Sequence, residues 1–100
     1  MKILPSGVEI PDEDLYIWEA YNFSCVAHPT RPAVCLHEEP PKSINPKWQS
    51  DPNSRFPVCN DCHELVHELG RQDAEFYLRA ARSQYFPDAL EDMEGYARQL

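Results

Sequence analysis

Cys25-x2-His28 and Cys59-x2-Cys62 are two pairs of soft donors, each with a gap of two residues, on either side of a stretch of thirty. A two-residue gap lets one tight turn aim both donors at a single ion. Two such pairs supply the four thiolate or imidazole ligands of a tetrahedral structural zinc. The alternative is an ordinary buried Cys25 with His28 on the surface. His63 and His67 follow at once, spaced i, i+4, so a helix would set both imidazoles on one face, one turn apart. Such a pair suits a divalent metal; it also reads as a solvated pair beside Glu64 and Glu68. The third feature is Leu36-His37-Glu38-Glu39, an apolar run ending in an imidazole and two carboxylates. Cys35, in the same apolar run, reads as core.

The elements that must position these groups are short. Residues 1–11 hold Pro5, Gly7 and Pro11 and read as an extended or loose arm. Asp12-Glu13-Asp14 makes an acidic first turn for a helix over about 12–21, with Leu15, Ile17, Trp18, Tyr21 and Phe23 as core. Residues 24–28 form a turn, and Ala33–His37 a strand. The proline- and asparagine-rich run 39–54 is a long irregular loop, and Phe56–Val58 is a second strand. A helix starts near Asp61, the expected N-cap, with Glu64 completing a capping box. A second helix covers about 72–85, burying Phe76, Tyr77, Ala80 and Ala81, and a last one covers about 88–99.

With 100 residues and ten prolines, the chain has the size of one domain with a modest core, so a metal staple is expected. No run approaches the length of a membrane helix. The start lacks the apolar stretch of a secretory leader, so a cytoplasmic location is expected, where clustered cysteines stay reduced and bind metal. The net charge of −8 argues against a general nucleic-acid binder. It is unevenly spread, however: residues 20–86 carry eight acidic against seven basic side chains, and the other nine acids lie in the flanks. Acidic flanks serve solubility; the alternative is that they dock a basic protein partner or restrain DNA binding.

Taken together, Cys25-x2-His28-x8-His37-Glu38-x2-Pro41-Lys42-Ser43 and Cys59-x2-Cys62-His63-x3-His67 resemble the zinc-knuckle branch of the HNH (ββα-metal, His-Me finger) endonucleases. The tail His67-Glu68-Leu69-Gly70, with Phe76 beyond it, is similar to small phage HNH proteins. The resemblance covers residues 25–67. It implies an α+β fold with a small zinc-stapled ββα-metal core and flanking helices. Residues 1–24 would form an arm and short helix, 25–70 the HNH-like core, and 71–100 the C-terminal helices packed on it. Three positions depart from the family pattern: His28 replaces a cysteine, Glu38 stands where the general-base histidine is usual, and Ser54, beside Asn53, stands where an asparagine is usual.

The resemblance implies a phage-related, metal-dependent endonuclease that hydrolyses DNA phosphodiesters, with no membrane association. Cys25, His28, Cys59 and Cys62 would hold the structural zinc. His37, His63 and His67 would hold a catalytic divalent metal (Mg, Mn, Ni or Zn), with Glu38 as the base. In a second register His37 is the base and Glu38 or Glu39 a ligand. Lys42, Lys47 and Arg55 are candidates for phosphate contact or solvated surface charges, and Trp48 is expected to anchor the loop, with stacking on a base as the alternative. The alternative is a catalytically degenerate zinc module that binds protein or nucleic acid.

Overall fold

The structure, a computed structural model, describes residues 1–38 and 52–98. It is α+β: short antiparallel strand pairs packed with helices. Of the extended or loose arm expected over residues 1–11, the structure shows the extended form, paired: β1 (Lys2–Ile3) lies antiparallel to β2 (Glu9–Ile10). Two-residue strands are too short to show an alternating pattern in sequence. What anchors this hairpin is tertiary: Ile10 is fully buried with Trp18 and Ala33 in a small cluster of its own.

A 3-10 turn at Asp12–Asp14 leads into α1 (Leu15–Ala20), which buries Ile17, Trp18 and Ala20. The chain leaves α1 through two residues in the left-handed region, Asn22 at φ 55° and Phe23 at φ 59°. Asparagine adopts that conformation readily and phenylalanine seldom does. Phe23 is held in it by its N–H donating to the Trp18 carbonyl and its own carbonyl accepting from the Ala33 N–H, both at 2.9 Å. The reversal delivers the chain into β3 (Ser24–Cys25), which pairs with β4 (His28–Pro32). Cys25 lies opposite His28 in that pair, so Val26 and Ala27 make the hairpin turn.

β5 (Cys35–Glu38) pairs antiparallel with β6 (Arg55–Val58), with Cys35 opposite Val58, His37 opposite Phe56 and Glu38 opposite Arg55. The two hairpins are tied together by the Val26 N–H on the Pro57 carbonyl and the Val34 N–H on the Val58 carbonyl, both at 2.9 Å. A 3-10 turn at Pro52–Ser54 enters β6. The rest of the expected loop, 39–51, lies outside the described residues, and Glu39, Lys42, Lys47 and Trp48 lie there with it.

Three helices follow: α2 (Asn60–Leu69), α3 (Arg71–Tyr85) and α4 (Ala89–Arg98). Cys59, not Asp61, is the N-cap of α2, and no side chain caps it. Asp61 falls in the first turn and its carboxylate is taken by Arg31 at 2.9 Å, so the capping box does not form. Gly70 separates α2 from α3 at φ 77°, a conformation that favours glycine. A Cβ there would meet nothing within 4 Å, so backbone conformation rather than space is the constraint.

The main core is drawn from α1, both central hairpins and all three C-terminal helices: Ile17 and Tyr21, Cys25 and Val26, Phe56 and Val58, Val66, Leu78 and Met93. α4 closes it by packing on α1, with Phe86 edge-on to Tyr21 at 5.2 Å between ring centroids. α3 corrects one expectation. Its buried stripe is Ala74, Leu78, Ala81 and Arg82, whereas Phe76 is 77% exposed and Ala80 is exposed too. Two residues turn a helix by about 200°, so Phe76 and Leu78 cannot both face inward. Among the described residues, no helix is long and apolar enough to cross a membrane.

Candidate metal centres

The structure gathers two separate groups of metal-type donors on the same unit of hairpins and helix. The first consists of Cys25 from β3, His28 from β4, Cys59 at the cap of α2 and Cys62 in its first turn. Their ligand atoms all lie within 4.8 Å of one another. His28 Nδ1 is 3.8 Å from Cys25 Sγ, 3.7 Å from Cys59 Sγ and 3.0 Å from Cys62 Sγ. A tetrahedral ion with bonds of about 2.3 Å to sulfur and about 2.0–2.1 Å to nitrogen sets these atoms about 3.6 Å apart. The observed edges lie around that value, so this cluster can hold a metal ion such as zinc.

Local structure explains how the donors meet. The two-residue turn between β3 and β4 aims Cys25 and His28 the same way. A helix start does the same for Cys59 and Cys62, and the Val26–Pro57 hydrogen bond brings the two turns together. The cysteines are buried, and the electrostatics are those of crowded thiols. Burial, with Cys25 and Cys59 close by, pushes the Cys62 thiol up to about 12. Burial opposes ionisation of Cys59 as well, but the Cys62 backbone amide and donors from Cys25, Cys62 and Arg31 bring it below the usual thiol value. One thiolate is favoured at the helix N-terminus, where the backbone dipole assists it. Three can coexist there only against a cation.

Around this cluster stand two further polar groups. Arg31 is held by Asp61 at 2.9 Å, and Tyr77 of α3 places its hydroxyl 4.0 Å from Cys62 Sγ. Burial, reinforced by the charge of Cys62, pushes the Tyr77 hydroxyl up to about 12. Cys35 is half-buried and packs against the main core.

The second group is His37, His63 and His67, whose ligand atoms also lie within 4.8 Å of one another. His37 comes from β5, and His63 and His67 from one face of α2. His63 Nε2 and His67 Nε2 are 3.1 Å apart. Two imidazoles on one ion stand about 2.8–3.4 Å apart for bonds of about 2.0–2.1 Å. The ring centroids are 5.8 Å (37–63), 5.5 Å (37–67) and 4.6 Å (63–67) apart, and His37 meets His67 nearly edge-on at 88°. Burial, then the neighbouring His67 and His37, lowers the His63 pKa, which keeps its imidazole neutral and able to ligate. His37 and His63 are half-buried and His67 is exposed, so the group opens to solvent.

The remaining residues singled out in the sequence go elsewhere. Glu38 follows His37 on a strand whose side chains alternate between faces. It is not in the three-histidine group; its Oε1 lies 3.9 Å from Arg55 Nε. Arg55 is mostly buried and held by both carboxylate oxygens of Asp14, at 2.6 and 3.3 Å, instead of being offered to a phosphate. Ser54 is buried. Asn53 has an unanticipated place: its Oδ1 accepts from Arg79 Nη1 at 2.6 Å and Arg82 Nη2 at 2.7 Å, and its carbonyl accepts from Arg82 Nη1 at 3.1 Å. Nothing in the pattern of α3 marks Arg82 as buried, because a charged residue is read as solvated. Its guanidinium packs over Phe56, 4.9 Å from the ring centroid. Tyr77 carried only a core signal.

Comparison with protein-family models, curated proteins and solved structures finds no match to this chain.

Proposed function

We propose that this chain is a metal-dependent endonuclease of the HNH type that hydrolyses DNA phosphodiesters, built on a zinc-stapled ββα-metal core. The observation that carries this reading is the convergence of His37 with His63 and His67 on an open surface beside the Cys3His cluster. A strand-borne imidazole and two helix-borne imidazoles match the arrangement that the HNH-like motif implies. A divalent ion held there would polarise the scissile phosphate and stabilise the leaving oxygen.

The chain's own residues then have distinct tasks. Cys25, His28, Cys59 and Cys62 hold the zinc that fixes the start of α2, and so fix where His63 and His67 point. His37 serves as the third ligand. With three imidazoles and no carboxylate in the group among the described residues, the donor set suits Ni²⁺ or Zn²⁺ better than Mg²⁺. The test is nicking of supercoiled plasmid at low salt with Ni²⁺, Zn²⁺, Mn²⁺ or Mg²⁺. Cleavage that depends on metal and is lost in His37→Ala supports the reading. No nicking with any of the four ions, and no difference between wild type and variant, sinks it.

One observation favours a second reading, a zinc module that binds without cleaving. Glu38, at the place of the family's general base, is turned to Arg55 and is absent from the three-histidine group. Retention of DNA or protein by the zinc-loaded chain without any further divalent ion, and with no nicking, would select that reading.

A further inference from the structure

We infer that Tyr77 is a hydrogen-bond donor to the Cys62 thiolate of the zinc-loaded centre, a positioning residue through which α3 retains the metal. The inference rests on the Cys3His cluster binding zinc and goes beyond it by assigning a residue outside the ligand set.

Three thiolates and one neutral imidazole around a dication leave a net charge of −1 on the ligand sphere. In a partly buried setting that charge is stabilised by donors aimed at sulfur, as outer partners orient and tune ligands at other metal sites. Tyr77 offers such a donor. Its hydroxyl stands 4.0 Å from Cys62 Sγ, fifteen residues on in sequence and on the next helix. The residue is half-buried against the core, so its ring is held in place and water competes poorly for the sulfur. A metal-bound thiolate has no proton to give, which makes the tyrosine the donor. Cys62 is also the ligand nearest to His28, at 3.0 Å, so a bond that steadies Cys62 steadies the joint between β4 and α2.

Arg31 differs in kind. It is bound to Asp61 and its side chain is 51% exposed, so any help it gives is screened by salt. A Tyr77 contribution is expected to persist at high salt.

The experiment uses the full chain loaded with zinc, and Tyr77→Phe, which keeps the ring and removes only the hydroxyl. Tyr85→Phe, an exposed tyrosine on the same helix, is the control. Zinc transfer to a colorimetric chelator is timed at low and high salt. Both variants are then reloaded with Co²⁺ and their sulfur-to-cobalt charge-transfer bands recorded. Removing a hydrogen bond from a thiolate raises its electron energy, so Tyr77→Phe is expected to move the band to longer wavelength. It should also weaken zinc retention about 10–100-fold, the usual effect of losing an outer partner, with Tyr85→Phe unchanged. Wild-type retention and an unmoved band in Tyr77→Phe overturn the inference. Failure of the wild-type chain itself to bind zinc would instead overturn the zinc reading beneath it.

Discussion

His28 Nδ1 lies 3.0 Å from Cys62 Sγ, although thirty-four residues separate them. One donor comes from a strand hairpin and the other from the first turn of a helix, so an ion held between them would fix how the two pack. A tetrahedral site of this kind contributes folding free energy outright.

The first prediction follows from that joint. The purified chain should retain about one equivalent of zinc after dialysis, and Cys59→Ser should aggregate or unfold. The sign of the pH response is set by Cys62. Its pKa, raised to about 12, keeps the thiol protonated at neutral pH, and zinc must expel that proton to bind. Zinc affinity should therefore rise with pH between 6 and 8, by about a factor of ten per pH unit for each proton released. Calorimetry in buffers of different ionisation enthalpy would count those protons. A stably folded chain free of metal would contradict the prediction.

A second divalent ion should bind at His37, His63 and His67 with a different pH profile. The lowered pKa of His63 leaves that imidazole neutral above about pH 6.5. His63 therefore gives up no proton at pH 7–8. Its contribution to affinity should be flat there and stay flat through 6.5, to be lost only as pH falls through its lower folded value. Titration of zinc-loaded protein with Ni²⁺ should show this site, and His67→Ala should weaken it while leaving the structural zinc in place. Equal Ni²⁺ binding by wild type and His67→Ala would count against the site.

Asn53 offers a test of packing. Two guanidinium groups converge on its side-chain oxygen, and Arg82 is 6% exposed. Asn53→Asp places a carboxylate of the same shape between them and should stabilise the fold by about 1.5–3 kcal/mol, the range for hydrogen bonds to charged groups. Asn53→Ala leaves a buried cation short of acceptors and should destabilise by a similar amount. Thermal melts of zinc-loaded protein would separate the two, with an unchanged or lower melting point for Asn53→Asp as the contrary result.

Cleavage should depend far more on His37 than on Glu38. His37→Ala is expected to abolish nicking by removing a ligand. Glu38→Gln, which leaves the three-histidine group intact, should keep activity within about threefold, because loss of a positioned base would cost about 10²–10⁴-fold. A loss of that size in Glu38→Gln would restore Glu38 as the base. It would also require its side chain to leave Arg55 in the working enzyme.

Much of the site could be read from spacing. A gap of two residues is a local constraint, so Cys25 with His28 and Cys59 with Cys62 announced themselves as pairs. An i, i+4 interval on a helix put His63 beside His67 before any fold was known. The strands around His37 and Phe56, and the three C-terminal helices, were visible from apolar runs and from Gly70 and Pro87. Relations between distant segments were not visible. Strand pairing set His37 against α2 and turned Glu38 to the other face. Burial of Arg82, the hold of Asp14 on Arg55 and the reach of Tyr77 to Cys62 each depend on which way a whole helix faces. The sequence by itself determined which residue types could bind metal, because covalent spacing limits where neighbouring donors can point. The tertiary structure alone decided which of those donors share a centre and which charges are consumed in holding the fold. Those outcomes depend on helix phase and strand register, which are set by the burial of the entire core.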